Sequence, residues 1–163
     1  MRIRYWYWVP AVLGLIADLV SKHVVFKALT ADSRVALLGS WLVLRLQKNE
    51  GGVFGILRGK GYVFVALTGV ALGFVAWMVR KADPGQRLLH LALGLVTAGA
   101  VGNLIDRLSL GYVRDFIYLE RINYPAFNLA DSCICVAAAI LFIQILREGK
   151  DGQAKGGKGK AKS

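Results

Sequence analysis

Hydrophobic and polar positions along this chain separate into four long apolar runs and two polar intervals between them. The apolar runs cover about residues 6–29, 62–79, 88–101 and 129–146. A helix rises 1.5 Å per residue, so crossing the ~30 Å hydrocarbon layer takes ~20 residues. The third run can cross only if Gly102 to Ile105 continues it, or if its end lies in a polar cavity within the protein. The pattern therefore predicts spans at 6–29, 62–79, 88–105 and 129–146. The first begins with basic residues, as a secretion signal does. It has no small-x-small cleavage site, however, and Asp18 and Lys22 interrupt it, so it reads as a retained span.

The intervals have a different period. WLVLRLQK (41–48) and GVFGIL (52–57) are short β-prone stretches around a glycine-containing turn that starts at Asn49, which is hairpin chemistry. YVRDFIYL (112–119) reads as a third strand. The expected fold is a membrane α-helical domain: four transmembrane helices, with a small cradle-like β-sheet and a loop at the outer membrane face. It occupies residues 1–148 and contains no internal repeat, and a disordered basic Gly/Lys tail follows at 149–163.

Composition strengthens the membrane reading. Of the 163 residues, 56% are hydrophobic, more than the 45–50% usual in soluble domains. The net charge of +11 does not point to nucleic acid. Much of it lies in the tail, where Lys150, Lys155, Lys158, Lys160 and Lys162 alternate with small residues beside anionic headgroups. Four spans put both termini on one side. Arg2, Arg4, the linker from Arg80 to Arg87 and the tail make that side cytoplasmic, although the first outer interval carries basic residues too.

Ionisable groups inside spans cost several kcal/mol when charged, so each needs a reason. Asp18 and Lys22 are four apart and share a helix face. They form either a neutralising pair with Lys22 snorkelling outward, or support for a polar site, and the two are compatible. Asn103 and Asp106 share a face at the end of the third span, as a cap or as part of a site. Arg107 has Asp106 or a lipid phosphate as its expected partner. Asp115 sits in a strand. Asn128 is positioned to cap the fourth helix, with Asp131 at its third position favoured by the helix dipole.

The two aspartates come from separate elements at one membrane face. His23 and His90 lie away from them, and no cluster with metal spacing is present. Cys133 and Cys135, two apart, point to different helix faces and read as packing residues. Paired-aspartate chemistry is what this inventory supports. A small transporter with intramembrane acids and a non-catalytic lipid- or peptide-binding protein are the competing readings.

Five segments in order, DLVSK (18–22), NEGGVFG (49–55), GNLIDR (102–107), VRDF (113–116) and FNLADS (127–132), resemble the motif set of bacterial lipoprotein signal peptidase, signal peptidase II. The resemblance covers about residues 5–148. It implies an aspartyl endopeptidase of the bacterial inner membrane, without metal or cofactor. Such an enzyme cleaves prolipoproteins before the diacylglyceryl-modified cysteine, near the periplasmic face. By position, Asp115 and Asp131 match the catalytic pair. Asn49, Asn103, Asp106, Arg107, Asn128, Asp18 and Lys22 match the supporting polar residues. The expected partners are the lipid-modified precursor and membrane lipids, with no nucleic acid, and the chain is expected to act as a monomer.

Overall fold

The computed structural model describes residues 4–51 and 60–159, with side chains as far as Arg147. The order is α1 (Tyr5–Ala28), β1 (Val35–Leu38), β2 (Leu42–Asn49), α2 (Gly61–Lys81), α3 (Arg87–Leu110), β3 (Val113–Leu119), a 3-10 turn (Glu120–Ile122), β4 (Tyr124–Phe127) and α4 (Leu129–Gly159). Among the described residues, four helices are long and apolar enough to cross a membrane. Their outward faces carry large apolar side chains such as Leu13, Ile16, Leu67, Val70, Phe142 and Ile145, suited to lipid rather than water. The protein is a multi-pass membrane protein.

The third span is longer than its apolar run. The helix passes through Gly102, Asn103, Asp106 and Arg107 before ending at Leu110. Gly111 then adopts φ 80, the left-handed conformation that closes a helix and that a residue without Cβ enters freely. The polar end of α3 is possible because Asn103 and Asp106 are buried within the protein rather than turned to lipid. The helical backbone of α4 runs on to Gly159, into the segment that composition reads as an unstructured tail. Extending a formed helix is far easier than nucleating one.

α3 is the central helix. It packs on α1, α2 and α4, and its buried positions include Ala92, Gly94, Ala98, Gly99 and Gly102. A Cβ at Gly99 would lie 2.3 Å from the Ala130 carbonyl oxygen, and one at Gly102 would lie 2.4 Å from an Asp18 carboxylate oxygen. Small residues let the backbones approach, as is general between membrane helices. α2 is peripheral, with Val75 its one buried residue.

The sheet is antiparallel, in the order β1-β2-β3-β4. β2 pairs with β1 through Val35↔Leu44 and Ala36↔Val43, and with β3 through Gln47↔Asp115 and Asn49↔Val113. The expected strands at 41–48 and 112–119 are present. The expected stretch at 52–57 lies outside the described residues. β1 and β4 went unrecognised because each is four residues long, too short for a period to register.

Candidate active site

Three elements meet where the C-terminal ends of α1 and α3 and the N-terminal end of α4 abut the sheet. Asp115 comes from the middle of β3, Asn49 from the end of β2, and Asp131 from the first turn of α4. Asn128 precedes that turn and caps it. Its Oδ1 accepts the Asp131 N–H at 3.0 Å, while its own N–H donates to Asp131 Oδ2 at 3.2 Å. This reciprocal pair satisfies helix N–H groups that would otherwise lack partners.

The Asn128 side chain also serves the strand. Its Nδ2 donates to Asp115 Oδ1 at 2.7 Å, and Asn49 Nδ2 donates to Asp115 Oδ2 at 2.9 Å. Asn103 Nδ2 donates to Asp131 Oδ1 at 2.8 Å. Each aspartate therefore has both oxygens engaged by N–H donors, and one asparagine spans the two. Asp115 is 1% exposed. Burial pushes its carboxyl up from 3.8 to about 7; the charge of Asp131 adds to this, while the Asn49 and Asn128 amides pull the other way.

Behind the asparagines lies a buried charge cluster. Lys22 is 0% exposed and donates to Asp18 Oδ2 at 2.7 Å and to Asn103 Oδ1 at 2.9 Å; Asp106 Oδ2 is 3.4 Å away. The neutralising pair expected of Asp18 and Lys22 is made, but Lys22 is buried instead of snorkelling outward, and its ammonium reaches the Asn103 side chain. Asp18 accepts the Ala130 N–H at 2.9 Å, which ties α1 to the start of α4.

Asp106 is held by Arg114, whose backbone N–H donates at 3.0 Å and whose Nη2 donates at 2.7 Å. The expected pairing of Arg107 with Asp106 is not made, because consecutive helical residues point apart. Arg107 instead donates to the Gly51 carbonyl at 3.3 Å and lies over the Phe64 ring. Arg114 is the site residue that sequence reasoning missed. The available signal was strand alternation, which sends Arg114 to the side opposite Asp115, toward the end of α3.

A cavity of about 580 Å³ opens beside this network, and its lining includes Asn49, Asn103, Arg107, Asp131, Phe64 and Ile134. Its size suits an organic ligand or a peptide segment. His90 lies elsewhere, in the first turn of α3, bonded to the Gln86 carbonyl at 2.9 Å. All nine side chains singled out in the sequence thus converge on one network or line its cavity.

The family model for signal peptidase (SPase) II matches residues 10–147, most of the chain. The chain belongs to the signal peptidase II family. Membership makes it a signal peptidase, with removal of lipoprotein signal peptides as the general activity. Among solved structures, a bacterial membrane enzyme determined by the in meso method at 2.3 Å is similar, with a TM-score of 0.82 and 28% identity over 88% of each chain. A second, determined by the same method at 1.9 Å, has a TM-score of 0.76 and 30% identity over 85% of this chain and 90% of the other. The signal peptidase II match begins inside α1 and ends at Arg147, so it takes in all four apolar helices, the whole sheet and every residue of the network.

Proposed function

We propose that this signal peptidase is an aspartyl endopeptidase that cleaves prolipoproteins before the diacylglyceryl-modified cysteine, with Asp115 and Asp131 as its catalytic pair. The observation that carries the proposal is the Asn128 side chain, bonded to Asp115 at 2.7 Å and to the Asp131 N–H at 3.0 Å, which ties the buried Asp115 to Asp131, a residue that lines the cavity.

The pair shares one proton, since neighbouring carboxylates resist double ionisation. Asp115, buried and pushed up to about 7, is suited to hold it. Asp131 faces the cavity at a helix N-terminus, where a negative charge is favoured. Asp131 takes a proton from water, the hydroxide equivalent bonds to the scissile carbonyl carbon, and Asp115 donates to the carbonyl oxygen. On collapse the hydroxyl of the tetrahedral intermediate returns its proton to Asp115, the C–N bond breaks, and Asp131 gives the proton it took from water to the leaving amine. Asn49, Asn103 and Asn128 hold the carboxyl groups in place, and the acyl chains of the substrate lie against the apolar wall of the cavity.

The sheet and the acids belong at the periplasmic face of the inner membrane. The opposite end carries Arg80, Lys81 and Arg87, and there Arg4 donates to the carbonyls of Arg80 and Ala82; this is the cytoplasmic end. The test is cleavage of a synthetic diacylglyceryl lipopeptide in detergent by the parent, Asp115→Asn and Asp131→Asn. Each variant should remain folded and lose activity by on the order of 10²-fold or more. Retained cleavage in either variant would remove that residue from the pair.

A further inference from the structure

The sheet carries a second pocket that the proposed chemistry does not use. It has a volume of about 270 Å³ and is lined by Arg45, Leu46, Gln47, Tyr118 and Ala126. Gln47 and Ala126 also line the main cavity, so the two spaces adjoin along the sheet. The pocket lies at an irregularity in the β2–β3 ladder, between Leu44 and Gln47. Bulges next to active sites re-aim side chains out of the regular alternation, and the residues inside this one are Arg45 and Leu46.

Arg45 differs from the other arginines on this face. Arg34 pairs with Glu120, Arg107 bonds to the Gly51 carbonyl, Arg114 forks onto Asp106, and Arg121 lies over the Trp41 ring. Arg45 makes no hydrogen bond or ion pair among the described residues. Its charge reaches Glu120, but that carboxylate is already held well below its usual range by the Arg34 guanidinium. Arg34 and Arg45 therefore share a single acid, and Arg45 is the one charged side chain among the described residues that line the pocket.

Position relates this charge to the reaction. Gln47 is the cross-strand partner of Asp115, and Arg45 stands two residues before it, about 7 Å along the strand. An extended peptide advances ~3.3 Å per residue, so a chain with its scissile bond at Asp115 reaches the pocket after about two residues. Two directions lead away from the cut. The signal-peptide side returns to lipid and is apolar, whereas the mature side must stay in water, along the sheet.

We propose that the pocket at Arg45 is a subsite for an acidic side chain on the mature segment, at the second or third residue beyond the cleaved bond. This rests on the peptidase reading above. The guanidinium donates to the carboxylate in a geometry suited to a paired contact.

The test uses full-length protein in a neutral detergent and diacylglyceryl-cysteine peptides with Asp, Asn or Lys at the second or third residue after the cut. The parent should show kcat/KM for the Asp peptide higher than for the Asn peptide by on the order of fivefold, the scale of a half-exposed ion pair. In Arg45→Gln that ratio should fall to near one, and Arg45→Glu should prefer the Lys peptide. Thermal unfolding should be the same for all three proteins, since Arg45 is exposed. A parent with no preference, or a preference that persists in Arg45→Gln, overturns the subsite. So does an Arg45→Gln effect equal for all peptides that appears only with anionic lipid present, which would assign Arg45 to a headgroup. A parent that cleaves none of the peptides overturns the proposed function itself, a different result from cleavage without charge preference.

Discussion

Lys22 donates to Asn103 at 2.9 Å and thereby decides which way the Asn103 amide faces. An ammonium can only donate, so it takes the Oδ1 end and leaves Nδ2 to point at Asp131, 2.8 Å away. A cation on α1 thus orients a neutral donor on α3, and that donor meets a carboxylate on α4. The charge of Lys22 is itself spent on Asp18 and Asp106 behind the site.

Removing that cation leaves two buried carboxylates facing each other. Lys22→Met should therefore cost about 3–5 kcal/mol of stability, the usual result of breaking a buried ion pair from one side. Glu120→Gln is the comparison, because its pair with Arg34 is 36–49% exposed on the side chains and should be worth at most about 1 kcal/mol. Thermal unfolding in one detergent ranks the two; similar losses would mean that the Lys22 cluster is not the keystone the distances suggest.

The pH profile should have a falling limb near neutrality. With Asp115 pushed up to about 7, it keeps its proton below that pH and loses it above, and a doubly ionised pair has no acid to protonate the carbonyl. Activity should therefore decline as pH rises through about 7. Asn128→Ala removes a donor that favours the ionised form, so in that variant the residual activity should decline at higher pH, together with a loss of about 1 kcal/mol from the missing helix cap. The measurement is kcat/KM against pH for both proteins.

The same group makes stability depend on pH. A carboxyl raised in the folded state binds its proton more tightly there than in the unfolded chain. Stability is then highest below the unfolded value of 3.8 and falls until pH passes about 7. The whole interval is worth on the order of 4 kcal/mol. Asp115→Asn has no such proton to lose. Relative to the parent it should gain stability between pH 4 and pH 8, whatever fixed cost the amide carries. Denaturant unfolding at the two pH values checks the sign.

Helix packing gives a prediction with its own internal reference. Gly99→Ala places a methyl 2.3 Å from the Ala130 carbonyl oxygen, and backbone cannot move aside as a side chain can. A loss of about 1–3 kcal/mol is expected. Gly69→Ala and Gly73→Ala, on the lipid side of α2, meet nothing within 4 Å and should be neutral or gain up to about 1 kcal/mol in helix propensity. Melting temperatures of the three variants settle the order.

Much of this was legible in the sequence, for identifiable reasons. The spans follow from apolar run length, β2 and β3 from β-prone composition, and the Asn128 cap from its place just before an apolar run. Asp18 and Lys22 drew notice because charge is costly in lipid. What sequence could not give was the partner across space. Arg114 and Asp106 are eight residues apart on different elements, and no periodicity links a helix end to the strand that follows it. Asp106 is one of the two partners expected for Arg107, but adjacency in sequence is divergence on a helix. The bulge that presents Arg45 depends on how β2 and β3 align, which neither strand encodes alone.

The cavity lining joins strand residues to Phe64 of α2 and Ile134 of α4, helices whose outward faces are apolar. Under the proposed function, a substrate carried by acyl chains would then reach the acids by moving within the membrane plane. Its effective concentration is a mole fraction of the surrounding amphiphile, not a molarity in the buffer. Adding empty micelles at fixed enzyme and substrate should slow turnover as a competitive inhibitor would, and an apparent KM for this protein has meaning only with the detergent ratio beside it.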